Sequence, residues 1–143
     1  MWNIRVSAVI LHKGKILMVN HKKQDMSYWL LPGGGLEVGE SCEIAIKREI
    51  REELMVDVIV GDIAFVVESI YESRHFLQVS FYCQLPHPDR IRLGNDPRIV
   101  NFGFISMSEL NNIVVYPDIK SELAFFLQSG KFKKRYYYKK WVS

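Results

Sequence analysis

Three glutamates, Glu49, Glu52 and Glu53, stand at i, i+3 and i+4 within Gly34 to Val56, GGLEVGESCEIAIKREIREELMV. On a helix turning about 100° per residue, with Ile46 set at zero, they fall at about 300°, 240° and 340° and share one face. Ile46, Ile50 and Leu54 fall at about 0°, 40° and 80°. This apolar stripe beside the acidic one anchors the helix while its carboxylates stay outside. Like charges at i, i+4 destabilise a helix by roughly a few tenths of a kcal/mol, so a counter-charge is expected. A hard divalent cation, Mg²⁺ or Mn²⁺, suits that place, because it takes carboxylate oxygens together with water and substrate phosphates. The plainer alternative is a solvated acidic face laced to Lys47, Arg48 and Arg51. Pro32 and the run Gly33, Gly34, Gly35 favour chemistry, since a sharp turn there brings backbone amides and carbonyls close to a ligand.

The elements that must position this face are legible in outline. Arg5 to Leu11 and Lys15 to Asn20 are apolar runs around His12-Lys13-Gly14, which reads as a β-hairpin. His21 to Tyr28 reads as a polar loop bordering the site, and a helix occupies roughly residues 41 to 54. From Val56 to Tyr71, and again from His75 to Leu85, the chain is β-like and supplies the centre of a sheet. Pro86 to Pro97 has the turn residues of an exposed loop, the kind that carries specificity. Val100 to Ile105 reads as a strand, Ser108 begins a short helical turn, and Asp118 to Gln128 forms a second helix stopped at Ser129-Gly130. Strands mixed with two helices, without regular βαβ alternation, predict an α+β fold, an α/β/α sandwich around a mixed β-sheet.

At 143 residues, 48% hydrophobic and 24% charged, the chain reads as one domain, residues 1–143, and as neither disordered nor membrane-spanning. The N-terminus has no small-residue cleavage site, so a cytoplasmic protein is expected, with Cys42 and Cys83 as buried thiols. Of the net charge of +3, six positive charges belong to residues 131–143, leaving the rest of the chain at −3. That basic, aromatic segment, KFKKRYYYKKWVS, suits single-stranded RNA. The preferred reading is a terminal edge strand whose lysines guard against aggregation. Composition leaves the oligomeric state open, a homodimer included.

The acidic stretch resembles the box of the Nudix hydrolases, G-x5-E-x7-R-E-U-x-E-E-x-G-U with U a bulky aliphatic. Gly34 opens it, Glu40 follows, then Arg48-Glu49-Ile50, Arg51, Glu52-Glu53, Leu54 and Val56; the departure is Met55, where the pattern has glycine. The resemblance covers 23 of 143 residues. It implies the same sandwich fold, and hydrolysis of a nucleoside diphosphate linked to another moiety with the help of Mg²⁺ or Mn²⁺. It further implies Glu49, Glu52 and Glu53 as metal ligands, the Gly33 carbonyl as a further one, and Glu49 as a base in some members. Arg48 would hold a carboxylate in its binding rotamer, and Glu40 would reach Arg48. Gly34, Gly35, Glu37 and Tyr28 would border the substrate. Asp96 is the first choice for a downstream acid, with Asp89 and Glu68 behind it, and Tyr28, Phe76 and Tyr82 are candidates for stacking on a base. Two other readings stay open: a catalytically silent Nudix domain that binds nucleotide or RNA, and an RNA 5′-end pyrophosphohydrolase. Met55 is expected at φ < 0, filling an apolar gap beneath the strand that follows.

Overall fold

The computed structural model describes residues 2–139; the end of the basic segment, Lys140 and Trp141 included, lies outside them. Among the described residues, nine strands and three α-helices follow in the order β1 (Trp2–Val9), β2 (Leu11–His12), β3 (Lys15–Lys23), β4 (Met26–Leu30), β5 (Gly33–Gly35), α1 (Cys42–Leu54), β6 (Ile59–Tyr71), β7 (Arg74–Gln84), β8 (Ile99–Ile105), α2 (Met107–Leu110), α3 (Lys120–Ser129) and β9 (Tyr136–Tyr138). One sheet runs β5-β1-β7-β6-β9, with β1/β7 and β6/β9 parallel and the other pairs antiparallel. In the second, β3 bonds β2, β4 and β8, all antiparallel.

Alternation in β1 and β3 divides the core between two layers. Val6, Ala8, Ile10, Leu17 and Val19 pack with Ala45, Ile46, Ile50 and Leu54 of α1. Val9, Ile16 and Met18 pack instead with Leu110, Leu123 and Phe126 of α2 and α3. A strand buried on both faces reads as an unbroken apolar run, which is why Ile16-Leu17-Met18-Val19 carries no polar residue. The result is the expected α+β sandwich, with one mixed and one antiparallel sheet. Ile46, Ile50 and Leu54 are fully buried. At roughly 1.5–3 kcal/mol for each such side chain, that burial outweighs the few tenths of a kcal/mol of repulsion between the glutamates.

Several local expectations are corrected. The first hairpin is only two residues deep, Leu11↔Ile16 and His12↔Lys15, because β1 leaves it to join the other sheet. Residues 21–28 are not a loop: β3 runs to Lys23 and returns as β4, pairing His21 with Tyr28. Lys22 to Ser27 face solvent at the tip of this hairpin, which accounts for its polarity, whereas His21 and Tyr28 at its base line a cavity. The turn before α2 is capped by Ser106 and not by Ser108, through a reciprocal bond with Glu109. The basic segment does supply an edge strand: Tyr137 is buried, Tyr136 and Tyr138 are exposed, and the Lys139 ammonium donates to Glu122 at 2.7 Å.

Met55 departs most sharply from expectation. It ends α1 at φ 57°, ψ 32°, its amide donating to the Arg51 carbonyl at 3.0 Å, and its side chain is exposed and fills no gap. Left-handed backbone costs a residue with a β-carbon about 1–2 kcal/mol, while glycine loses about 0.4–1 kcal/mol through its freer unfolded chain. Met55→Gly is therefore expected to stabilise the protein by about 0.5–1 kcal/mol, read as a higher denaturant midpoint at unchanged slope. A lower midpoint would show that the methionine side chain packs usefully.

Candidate active site

Helix α1 begins at Ser41, whose hydroxyl accepts the Ile44 amide at 3.2 Å, and this start sets the phase of the acidic face. Arg48 is the hub of that face. Its guanidinium donates to both carboxylate oxygens of Glu40 at 2.7 and 2.9 Å, to Glu49 Oε1 at 2.8 Å and to the Gly35 carbonyl at 3.0 Å. The same Nη1 lies 3.5 Å from Glu52 and 3.9 Å from Glu37. Hydrogen bonding to Glu40, then to Glu49, holds Arg48 above its ordinary pKa, and the bond to Arg48 holds Glu40 below the usual carboxylate range. Glu40 thus orients Arg48, and Arg48 orients Glu49.

Gly33, Gly34 and Gly35 form no sharp turn; they are β5, paired with Ser7, Val6 and Arg5 of β1. Close approach is the reason for glycine here. A β-carbon on Gly33 would lie 2.0 Å from the Val6 carbonyl oxygen, and one on Gly34 would lie 2.4 Å from the Glu49 carboxyl carbon. Glu49 therefore lies flat over a bare backbone. Glu53 is not on the outer surface: it is 3% exposed, and its Oε1 accepts the Gly33 amide at 2.9 Å. Burial pushes its pKa up to about 8 against the pull of that amide, and the nearby charges of Glu49 and Asp96 add to the push.

The loop after the 3₁₀ turn Pro88–Arg90 caps the other end of α1. The amides of Arg92 and Gly94 donate to the Leu54 and Glu53 carbonyls at 3.0 and 2.9 Å, satisfying acceptors a helix end leaves open. This brings Asp96 and Arg98 to Glu52, the three bordering a cleft of about 340 Å³. Asp96 is held below its ordinary pKa chiefly by its bond to Arg98, which donates to both of its oxygens at 3.1 and 2.8 Å. Asp96 thus borders the cleft beside Glu52, already paired with Arg98. Glu68 and Asp89 do not reach it. Glu68 accepts from Tyr136 and bonds His75, both at 2.5 Å, and Asp89 borders a separate cleft with His12 and Lys13.

Between the sheets lies a second cavity, of about 200 Å³, lined by Tyr28 and Phe76 together with Arg5, His21, Arg98 and Tyr116. Tyr28 stacks on Tyr116 with ring centroids 4.6 Å apart. Tyr82 points elsewhere, packing 6.0 Å from Phe126 and 6.3 Å from Phe132, so its candidacy as a stacking surface falls. Arg5, His21 and Arg98 escaped the sequence reading, since each looks like an ordinary strand or loop residue. Burial, then the charge of Arg98, holds His21 below its ordinary pKa.

The donors along α1 suit a hard cation: they are carboxylate oxygens, and Arg48 already sits between Glu49 and Glu52 as a positive charge. Among the described residues no three Asp, Glu, His or Cys side chains converge as a finished cation cage. Glu53 instead lies against Gly33 and Glu49 against Arg48.

The NUDIX domain family model matches residues 1–126. The nucleoside triphosphatase NudI of Salmonella heidelberg is 48% identical over 46 residues, 32% of this chain and 33% of that protein, so the chain spans about a third of that relative's length. In fold, the chain is similar to a NUDIX hydrolase from Nitrosomonas europaea, with a TM-score of 0.77, 24% identity and 92% of each chain covered. It is also similar to an ADP-ribose pyrophosphatase from Streptococcus suis, with a TM-score of 0.70, 20% identity, and 96% of this chain and 98% of that one covered. A family match over most of its length, on a box whose Glu40, Glu49 and Glu52 gather around Arg48, means that this chain belongs to the Nudix hydrolase family.

Proposed function

We propose that the protein is a divalent-metal-dependent pyrophosphohydrolase cleaving a nucleoside diphosphate linked to another moiety by attack of water on phosphorus. The observation that carries this reading is the Arg48 cluster, which holds Glu49 over the bare backbone of Gly34 with Glu52 beside it on the same helix face. Glu49, Glu52 and Glu53, with the Gly33 carbonyl, would hold the ion. When bound, such an ion neutralises the phosphates and makes water a better nucleophile near neutral pH. Glu49, whose Oε1 is engaged by Arg48, is the proposed acceptor of the water proton. Arg48 positions it, and removal of a group in this supporting role typically costs about 10–100-fold in activity. Gly34, Gly35, Glu37, Tyr28 and Asp96 would border the substrate.

The test is a screen of nucleoside triphosphates, ADP-ribose, dinucleoside polyphosphates and 5′-triphosphate RNA with Mg²⁺ and with Mn²⁺, following phosphate and pyrophosphate release. Turnover of a small nucleotide supports the reading, and the name carried by NudI puts nucleoside triphosphates first. Tight binding without turnover of any substrate would favour a silent binding domain. Turnover confined to RNA would favour the 5′-end reading, although Tyr137 packs on Phe65 and Lys139 bonds Glu122, so both are engaged with the domain.

A further inference from the structure

Arg5 is the cation that the site, so far described, does not use. It lies on β1 opposite Gly35 on one side and Gln78 on the other, and Gln78 lines the cavity between the sheets together with it. Its guanidinium is partly buried and makes no hydrogen bond or ion pair among the described residues, whereas Arg48 and Arg98 are both bonded to carboxylates. Burial holds Arg5 below its ordinary pKa, while the charges of Glu53 and Glu49 draw it up. Withdrawing a charge from water without a partner is costly, so such a group is stable only where the rest of the fold enforces it. A guanidinium kept in that condition offers its planar fork to an incoming anion, and phosphate matches that fork.

Its position narrows which phosphate. On one side is the aromatic cavity of Tyr28, Tyr116 and Phe76, about 200 Å³ and suited to a flat ring. On the other, across the three glycines of β5, are Glu49 and Glu53. A substrate with its ring in the cavity and its scissile anhydride at the carboxylates passes Arg5 between the two.

We propose that Arg5 anchors the phosphate that stays on the ring-bearing product, an assignment that rests on the reaction proposed above. The retained group is then held by Arg5, and the departing phosphate is not. Arg98 completes the cavity wall but is neutralised by Asp96, so it adds less attraction. Arg5 is thereby the residue that discriminates a nucleoside phosphate from the uncharged nucleoside.

Calorimetric binding of the common nucleoside monophosphates and their uncharged nucleosides to the full chain, to Arg5→Met and to Arg5→Lys tests this. Arg5→Met is expected to weaken monophosphate binding about tenfold to a hundredfold and to change nucleoside binding by less than about twofold. Arg5→Lys is expected to recover most of the difference, and in turnover KM should rise more than kcat falls. Inhibition by inorganic pyrophosphate, which resembles the departing half, should be unchanged. Arg5→Gln replaces Arg5→Met should the latter fail to fold. Equal weakening of nucleoside and monophosphate, unchanged monophosphate binding, or a wild-type protein that binds none of the monophosphates would each overturn the assignment. Arg5-dependent monophosphate binding in a protein that hydrolyses no substrate supports the assignment and overturns the reaction.

Discussion

Glu53→Gln is expected to remove metal-dependent turnover by a factor of at least about 100, since even partners of metal ligands cost about 10–100-fold when lost. In metal-free buffer it should also stabilise the fold at high pH. Burial holds the Glu53 carboxyl up to about 8, against an ordinary value of 4.5. An acid whose folded pKa is raised contributes stability that is fully present below its unfolded pKa and is lost as pH rises through the folded one. The window runs here from about 4.5 to 8, and above it the wild-type protein carries a buried anion that glutamine does not. Glutamine keeps an oxygen to accept the Gly33 amide, so the variant's advantage should grow across that window to the order of a few kcal/mol. Denaturant titrations of the two proteins at pH 5, 7 and 9 measure it. Parallel stability curves would show that Glu53 is solvated and not buried. Glu52→Gln is the companion: its side chain is 58% exposed, so turnover should fall while the denaturant midpoint barely moves. Full turnover in either variant would refute the metal-ligand assignment.

The second large effect is expected at a residue with no chemistry. A β-carbon on Gly94 would lie 1.8 Å from the Glu52 carbonyl oxygen and 2.9 Å from its carbon, and both atoms are backbone with little room to give. Gly94→Ala must push the loop off the end of α1, loosening the amide bonds of Arg92 and Gly94 to the helix carbonyls. Overpacking costs about 1–3 kcal/mol and a lost bond about 1 kcal/mol, so a loss of about 2–4 kcal/mol is expected. Asp96 and Arg98 ride on the same loop, so turnover should fall with stability. Gly35→Ala is the control for stability: its β-carbon meets nothing within 4 Å, and its denaturant midpoint should barely move. Equal midpoints for the two variants would show that the loop is not seated on the helix.

The sequence by itself determined what depends on short-range pattern. Helix α1 and its acidic face follow from the 3.6-residue spacing of Ile46, Ile50 and Leu54 beside Glu49, Glu52 and Glu53. The strands follow from runs such as Ile16 to Val19, and Gly130 marks the end of α3 through its left-handed cap. Of the contacts of Arg48, only that with Glu52 is an i, i+4 pair that helix phase alone encodes; Glu40 lies before α1, eight residues from Arg48, and meets it because the chain ahead of the helix folds back.

Only the tertiary structure decided the rest. Periodicity put Glu53 on the outer face, but β5 closes over it, and that strand forms by pairing Gly33, Gly34 and Gly35 with Ser7, Val6 and Arg5 of β1, a contact no local spacing encodes. Met55 takes a left-handed backbone because α1 must stop there, although its own side chain disfavours it. His21 and Tyr28 read as loop because they are polar, yet they line a cavity whose other wall comes from Arg5, Phe76 and Arg98. These residues are brought together by pairings between strands far apart in sequence, and no local spacing encodes such an encounter. The physical reason is that helix phase is a property of a few neighbouring residues, whereas a pocket between two sheets exists only once both sheets have formed.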